Sequence, residues 1–277
     1  MQNSNQGSHL QNINWKNLSI VTSFHLLAAV GLFYFSWQNL AALLIGNWIV
    51  GSLGVGLGYH RLLTHRSFKA PKWLEYTLTV FGAMAIQDDA PKWVATHRIH
   101  HQFTEKEGDP HSTRPGFWWA HLGWIVYGTA NDHDAATLKK YVPDLMKDRF
   151  HVALAKFYYA PLLISGVLLF AIGGWPMALW GVFGRVVFGW HSTWLVNSAT
   201  HTWGARPHAT GDDSTNNLAI ALLTFGEGWH NNHHAFPSSA RHGLGRFQFD
   251  QNWLTIRIFE RFGWASEIRL AAQPADH

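Results

Sequence analysis

The sequence of 277 residues has no cysteine, and only 14% of its residues are charged. The absence of cysteine excludes disulfide bonds and thiolate metal ligands. A typical soluble domain carries about 25% charged residues, so the low charge argues against a soluble protein. The hydrophobic share of 47% and the 16 tryptophans argue in the same direction. The composition therefore predicts an integral membrane protein in which part of the chain lies in lipid.

Long apolar runs occur in two pairs, each joined by a very short turn. About 20 helical residues cross a bilayer core about 30 Å thick, so each pair predicts a transmembrane hairpin. A further apolar stretch at 74–86 is too short to cross and predicts an interfacial or re-entrant helix. Arg185 falls inside the fourth span, and we expect it to snorkel towards the far side. The four spans are expected at about residues 18–36, 40–60, 157–173 and 176–200.

The distribution of lysine and arginine predicts the orientation of these spans. The far-side turns carry neither residue, whereas the region between the hairpins is rich in both. The positive-inside rule then places the polar tail 1–17, the regions 60–156 and 201–277, and both termini in the cytoplasm. The membrane would be an inner or thylakoid membrane, and the basic residues mark topology and do not bind nucleic acid. We expect one integrated domain over 1–277, without a cleavable secretory signal.

Nine of the 19 histidines fall into four short clusters. The pattern HxxHH occurs at 97–101 and 230–234, and on a helix these spacings share one face, so each triplet is expected to aim its rings at one point. His60 and His65 lie about 140° apart on an α-helix, which predicts that His60 ends a helix and His65 follows it. Neutral imidazole is a common metal ligand. Nine rings exceed the needs of one ion and predict two.

Two imidazole-bound ions beside a bilayer indicate chemistry on a lipid chain. Iron with nitrogen and oxygen ligands can activate dioxygen, and the membrane provides acyl chains. A zinc hydrolase is disfavoured because the chain has no HExxH motif. A non-enzymatic metal transporter or sensor is disfavoured because its ligands would be expected within the spans and not at their ends.

The histidine clusters resemble the three histidine boxes of membrane fatty acid desaturases in order and separation. Further motifs resemble the Δ9, or stearoyl-type, branch of bacterial or cyanobacterial type, over about residues 45–265. The resemblance implies an all-α, four-span, mushroom-shaped membrane protein whose cytoplasmic helical cap holds a di-iron site. The motifs are Gly58-Tyr59-His60-Arg61, Asp109-Pro110-His111, Gly116-Phe117-Trp118-Trp119-Ala120-His121, Trp194-Leu195-Val196-Asn197-Ser198 and Gly226-Glu227-Gly228-Trp229-His230-Asn231.

Carried over position by position, the resemblance assigns nine ligands to two ferrous ions, and it assigns Asn197 to a metal-bound water. It also implies a separate electron donor, such as a ferredoxin or a small cytochrome b. Four other histidines (111, 121, 191 and 242) match no box and are expected to be supporting or structural. The implied ligands are His60, His65, His97, His100, His101, His201, His230, His233 and His234.

The resemblance also implies substrate contacts and a reaction. Acyl-CoA members have an Arg-Asp pair where this chain has Ala95 and Thr96, which favours a lipid-linked acyl chain while acyl-CoA stays an alternative. The reaction would introduce a cis double bond at C9, and a di-iron hydroxylase or ketolase is the sister alternative. Gln87, Asp88 and Trp93 would lie near the acyl head, whereas Trp118, Trp119 and Trp194 would either line the acyl tunnel or serve packing.

Overall fold

The computed structural model describes residues 13–128 and 132–272, and within these ranges the ordered elements are helical, without β-strands. Three isolated bridges, such as Lys69 with Ser266, pair extended segments in the cap. The α-helices are α1 Trp15–Gly31, α2 Trp37–Asn47, α3 Lys72–Ala83, α4 Ala90–Phe103, α5 Trp124–Val126, α6 Ala135–Tyr141, α7 Pro143–Lys147, α8 Arg149–Lys156, α9 Ala160–Ala178, α10 Arg185–Ser198, α11 Leu218–Leu223, α12 His230–Ala235 and α13 Gln251–Arg261.

Within the described part of the chain, three continuous helical stretches are long and apolar enough to cross a membrane: Trp15–Tyr34, Trp37–Thr64 and Ala160–His201. The first two are separated at Phe35 and Ser36, where the Ser36 hydroxyl accepts a hydrogen bond from the Asn39 backbone and caps α2. These helices confirm the predicted long apolar helices, and their length and composition are consistent with a membrane protein.

The third stretch, Ala160–His201, is broken in its middle. Gly173 and Gly174 have non-helical backbone angles, and Gly174 has a φ of 64°, which favours glycine. A Cβ built on Gly181 would lie 2.7 Å from Cδ1 of Leu169. On a straight helix these two residues would be about 18 Å apart. The chain therefore reverses at the two glycines, in the turn that the sequence predicts.

The second stretch changes its winding along its length. After α2 it continues as a π-helix over Trp48–Thr64, and His65 follows directly. The His65 backbone N–H donates to the His60 carbonyl at 3.1 Å, the wide five-residue turn of a π-helix. The prediction that His60 ends the helix is therefore wrong. A spacing of five brings both imidazoles to one side because the turn is wider than in an α-helix.

Helix α3 packs so closely on the second stretch that glycine is required at the contact. A Cβ on Gly54 would lie 2.4 Å from the backbone nitrogen of Gly82. With 12 residues, α3 spans about 18 Å, less than a bilayer core. As the sequence predicts, a short helix forms here, and it ends inside the protein before the chain turns into α4.

Arg185 holds the end of α3. Its side chain is buried, with its Nη2 donating to the Met84 carbonyl at 2.9 Å and its Nε to the Gly181 carbonyl at 3.2 Å. The indole of Trp190 donates to the Ala85 carbonyl at 2.9 Å. The prediction that Arg185 snorkels is wrong, because its guanidinium is buried and donates to the Met84 carbonyl, which the end of α3 leaves without a helical partner.

A chain of histidines joins α1 to α10 and to the π-helical turn Trp119–Gly123. His25 Nε2 lies 3.0 Å from His191 Nε2, and His191 Nδ1 lies 3.0 Å from His121 Nε2. His121 Nδ1 in turn lies 3.0 Å from the Ser198 hydroxyl. These contacts tie peripheral helix α1 to the body of the protein, in keeping with the structural role expected for His121 and His191.

Candidate metal centre

Five histidines converge at the end of the long helices that the sequence predicts to face the cytoplasm. We call these five histidines cluster A. Their ligand nitrogens all lie within 4.8 Å of one another. The end of the π-helix contributes two rings, α4 contributes two and α12 contributes one. Cluster A consists of His60, His65, His97, His101 and His233.

Four further histidines form cluster B, again with all ligand nitrogens within 4.8 Å. One comes from α4, one from the end of the third long stretch, and two from α12. The two clusters adjoin, since the rings of His101 and His234 stack with centroids 4.6 Å apart. Cluster B consists of His100, His201, His230 and His234.

Each HxxHH triplet is divided between the clusters. On α4, the i, i+4 pair His97 and His101 faces cluster A, while His100 faces cluster B. On α12 the shares are reversed: His230 and His234 face cluster B and His233 faces cluster A. The prediction that each triplet aims at one point is wrong, because two clusters adjoin at this face of each helix and the third ring of each triplet belongs to the neighbouring cluster.

Carboxylates lie behind four of the rings. The Nδ1 atoms of His60, His100 and His234 are 2.6, 2.9 and 2.9 Å from carboxylate oxygens of Glu227, Asp109 and Asp212, respectively. The Nδ1 of His201 lies 3.0 Å from a Glu105 oxygen. A carboxylate holds the imidazole hydrogen on Nδ1 and leaves the Nε2 lone pair free for a metal.

The positions of the Nε2 atoms suit metal coordination better than they suit hydrogen bonds between the rings. His60 Nε2 and His233 Nε2 are 3.2 Å apart, and His230 Nε2 and His201 Nε2 are 3.0 Å apart. Where Nδ1 carries the hydrogen, such a pair sets two lone pairs face to face, which only a cation relieves. The buried Nε2 of His100 has no hydrogen-bond partner among the described residues. The donor set is therefore that of a two-ion, nitrogen-rich centre.

Burial keeps at least five of the rings neutral. It lowers the pKa of His65, His97 and His101 well below 6.5, and the neighbouring imidazoles lower each pKa further. The same two causes lower the pKa of His230 and His233. Neutral rings at pH 7 have the free lone pair that a metal ligand requires.

A buried ionic network supports cluster A. Glu227 accepts from His60 through one oxygen, and from Arg61 at 2.9 Å and Asn252 at 2.7 Å through the other. Arg61 is fully buried and also contacts Asp250 at 2.9 Å. His242 Nδ1 lies 3.2 Å from Glu227, which agrees with its expected supporting role. Sequence reasoning did not assign these acids, although Glu227 and Asp109 stand inside the motifs that carry the family resemblance.

Two cavities adjoin the clusters. The wide cavity, of about 260 Å³, has a polar mouth with Lys16, Asp88 and Lys92 and reaches His97. The narrow cavity, of about 70 Å³, runs between the second long stretch and α10. Four residues line both and mark where the cavities meet: Trp93, His97, Thr193 and Asn197.

The structure brings most of the predicted substrate contacts to the wide cavity. Gln87 lines it and bonds Thr193 at 3.0 Å and Trp93 at 3.3 Å. The side chain of Trp194 is buried in its wall. Trp118 is 74% exposed. Neither Trp118 nor its neighbour Trp119 lines either cavity.

Comparison with known proteins decides the family. The model of the family described as fatty acid desaturase matches residues 21–253. The chain belongs to the fatty acid desaturase family.

Several relatives of this desaturase are similar over nearly the whole chain. The sn-1 stearoyl-lipid 9-desaturase of Anabaena variabilis is 44% identical over 94% of this chain and 95% of its own. The sn-2 palmitoyl-lipid 9-desaturase of Nostoc is 42% identical over 92% and 90%. The icosanoyl-CoA 5-desaturase of Limnanthes douglasii is 43% identical over 93% and 73%. The names of these relatives thus include both lipid and CoA carriers.

Proposed function

We propose that the protein is an acyl-lipid 9-desaturase, which introduces a cis double bond into a saturated acyl chain. The observation that carries the proposal is the pair of adjoining histidine clusters at the junction of two cavities. The similarity to named 9-desaturases supports the position and the lipid carrier. The reaction is CH₂–CH₂ + O₂ + 2 e⁻ + 2 H⁺ → CH=CH + 2 H₂O, so two electrons come from a separate donor, for which we propose a ferredoxin or a small cytochrome b.

Each cluster would hold one iron. When bound, the two irons would supply the activation of dioxygen and the removal of hydrogen from two neighbouring methylenes. The chain itself orients the imidazoles through Glu105, Asp109, Asp212 and Glu227. Asn197, which lines both cavities next to the clusters, would bind a water there.

The cavities give the substrate a direction. The wide cavity, with two lysines and two aspartates at its mouth, suits the head of the substrate, where Gln87 and Asp88 are positioned to contact it. The narrow cavity, whose surface is largely apolar, suits the methyl end. The four residues at the junction, together with Trp194, would hold one CH₂–CH₂ pair beside the clusters, and this proximity selects the bond.

The mouth of the wide cavity supports a lipid carrier. Lys16 and Lys92 are accompanied there by Asp88 and Asp132, so the charges balance. A polyphosphate such as CoA requires an excess of positive charge. The mouth therefore suits a less charged, lipid-linked head.

The proposed arrangement in the membrane has four crossings in two hairpins, because the reversal at Gly173 and Gly174 divides the third long stretch. The metal centre and both termini lie on the cytoplasmic side, and 1–277 forms one domain. Positive charge in the region between the hairpins supports this orientation.

The test is gas chromatography–mass spectrometry of total fatty acids from a desaturase-deficient host that expresses the chain. A cis-9 monoenoic acid is the expected product, and His100→Ala should abolish it. His208→Ala, outside both clusters, is the matched control and should leave it unchanged. A hydroxy or keto product would instead assign the chain to the sister class. Dioxygen-independent metal uptake without any new lipid would indicate a transporter or sensor.

A further inference from the structure

The mouth of the wide cavity lies beside the first turns of two long apolar helices. Lys16 and Ile20 of α1 line the cavity, and so does Tyr158, which precedes α9 by two residues. The buried residues Val21 and Leu162 belong to the same apolar cluster, so α1 and α9 share a core next to the mouth. The cavity therefore opens where two apolar helices begin, and not only within the cap.

Aromatic side chains place this mouth at the level of the lipid head groups. Trp15, next to Lys16, is 68% exposed, and Tyr159, next to Tyr158, is 48% exposed. Exposed tryptophan and tyrosine at the ends of membrane-spanning helices lie at the boundary between lipid and water. A lipid therefore has its head group at the mouth without leaving the bilayer.

One stripe of α1 continues from the mouth into the membrane. Residues that recur every three or four positions lie on one face of a helix, which places Ser23 and Leu27 on the same face as Lys16 and Ile20. Ser23 and Leu27 are exposed, and neither lines the wide or the narrow cavity. Because Ser23 is small, it leaves a shallow groove between Ile20 and Leu27. We call Ile20, Ser23 and Leu27 the α1 stripe.

Hydrogen bonds hold the α1 stripe in place beside the mouth. The Asn14 backbone N–H donates to the Val126 carbonyl at 2.7 Å. The Asn17 side-chain amide, one residue after Lys16, donates to the Ile125 carbonyl at 3.0 Å. The first turn of α1 is therefore fixed to α5, and the α1 stripe keeps its position relative to the cavity.

A lipid with two acyl chains needs a place for the chain that is not desaturated. The two chains leave neighbouring carbons of one glycerol, so when one chain occupies the wide cavity the other starts at its mouth. Each methylene that moves from lipid into water weakens binding about fourfold, so the second chain stays in apolar surroundings. From the mouth onward, the α1 stripe and the adjoining bilayer provide these surroundings.

We propose that the α1 stripe binds the second acyl chain of a two-chain lipid, which enters the wide cavity from the bilayer and not from the water. The proposal rests on the proposed function, and it adds how the enzyme distinguishes a two-chain lipid from a single-chain carrier. A single-chain carrier uses the same cavity but does not occupy the α1 stripe. Changes in the stripe therefore affect only the two-chain substrate.

The first test uses Ser23→Trp in the full, iron-loaded protein, reconstituted in nanodiscs with a reduced ferredoxin. Tryptophan fills the groove and should raise the KM for a distearoyl glycerolipid about tenfold, with kcat unchanged. The KM for the matching one-chain stearoyl lysolipid should stay the same. Thr22→Trp is the matched control, because Thr22 is also exposed but lies about 160° around the helix from Ile20.

A second measurement does not depend on any variant. A glycerolipid with one stearoyl chain and one chain that carries a diazirine is photolysed with the wild type in nanodiscs of dioleoyl lipid, and labelled residues are identified by mass spectrometry. Labelling of Ser23 and Leu27 should fall when distearoyl lipid replaces part of the dioleoyl lipid. Labelling of Leu44 and Ile45, which are 52% and 59% exposed on α2, should not fall.

Equal rises in KM for the two-chain lipid and its lysolipid, or no rise for either, would overturn the proposal. Labelling of Ser23 and Leu27 that is as insensitive to distearoyl lipid as labelling of α2 would overturn it too. A wild type that makes no monoene from either carrier would contradict the proposed function itself. The labelling experiment needs no turnover, so the two failures are distinguished.

Discussion

The nine imidazoles differ in what lies behind their Nδ1 atoms. Carboxylates stand behind His60, His100, His201 and His234. The buried Nδ1 atom of His233 has no hydrogen-bond partner among the described residues. A carboxylate partner makes an imidazole a stronger ligand and fixes its ring. The rings are therefore unequal ligands, and the supporting acids tune how strongly each ring binds a metal.

Asp212→Asn tests this inequality. His234 and Ser214 hold the pKa of Asp212 far below its ordinary value, so the carboxylate is charged at any working pH. Removal of the charge should weaken iron binding about 10- to 100-fold, measured as the metal content of purified protein at limiting iron. Asp213→Asn is the matched control, because the neighbouring Asp213 pairs with Arg114 and Arg206 at the surface. Equal iron loss in both variants would contradict the role of Asp212.

His121 gives a prediction about pH. Burial and then the neighbouring His191 lower the pKa of His121 to about 4, whereas the unfolded chain takes up the proton near its ordinary value of about 6.5. The contribution of neutral His121 to the free energy of unfolding is therefore largest above about pH 6.5, and it is lost as the pH falls towards about 4. The melting-temperature gap between wild type and His121→Gln should shrink over that range. A gap independent of pH would show that His121 does not stay neutral.

At the residue scale, the histidines were predictable because their spacing repeats and matches a known pattern. The acids behind them were not, because Glu105, Asp109 and Asp212 lie in irregular segments whose approach to the rings has no periodic signal. The division of His97, His100 and His101 between two clusters was not predictable either. Helical spacing indicates which rings share a face, but it does not indicate how many metal sites lie against that face.

Among the elements, the contact between α3 and the second long helix is set by backbone. A Cβ on Gly54 would collide with backbone atoms of Phe81 and Gly82, which cannot rotate away. We expect Gly54→Ala to lower the free energy of unfolding by about 1–3 kcal/mol, measured by thermal unfolding in detergent. Gly31→Ala, with its nearest contact at 3.4 Å, should be nearly neutral. A stable Gly54→Ala variant would mean that α3 is free to move away.

The π-helix explains why one element prediction was wrong and its neighbours were confirmed. Apolar length predicts the long helices, and glycine predicts the break at Gly173. Winding is different, because π-turns are rare and the periodicity of apolar residues does not report them. The sequence holds a signal only in retrospect: a spacing of five between His60 and His65 suits a wide turn.

For the whole molecule, the absence of cysteine makes the proposed topology directly testable. A single cysteine at Trp175→Cys, 66% exposed beside the glycine turn, should react with an impermeant maleimide in intact cells. A cysteine at Phe247→Cys, 88% exposed in the cap, should react only after permeabilisation. The cysteine-free parent is the control for background labelling. The reverse pattern would invert the orientation, and labelling of both in intact cells would contradict the hairpins.

Two helices link the two clusters. Helix α4 contributes two rings to cluster A and one to cluster B, and α12 contributes one ring to cluster A and two to cluster B. An ion seated in one cluster fixes the same two helices that must present rings to the other. The conformational entropy of the two helices is lost when the first ion binds, and it is not lost again when the second ion binds. Loading should therefore be cooperative: in an iron titration, apo and fully loaded protein should coexist, and native mass spectrometry should find half-loaded molecules scarce.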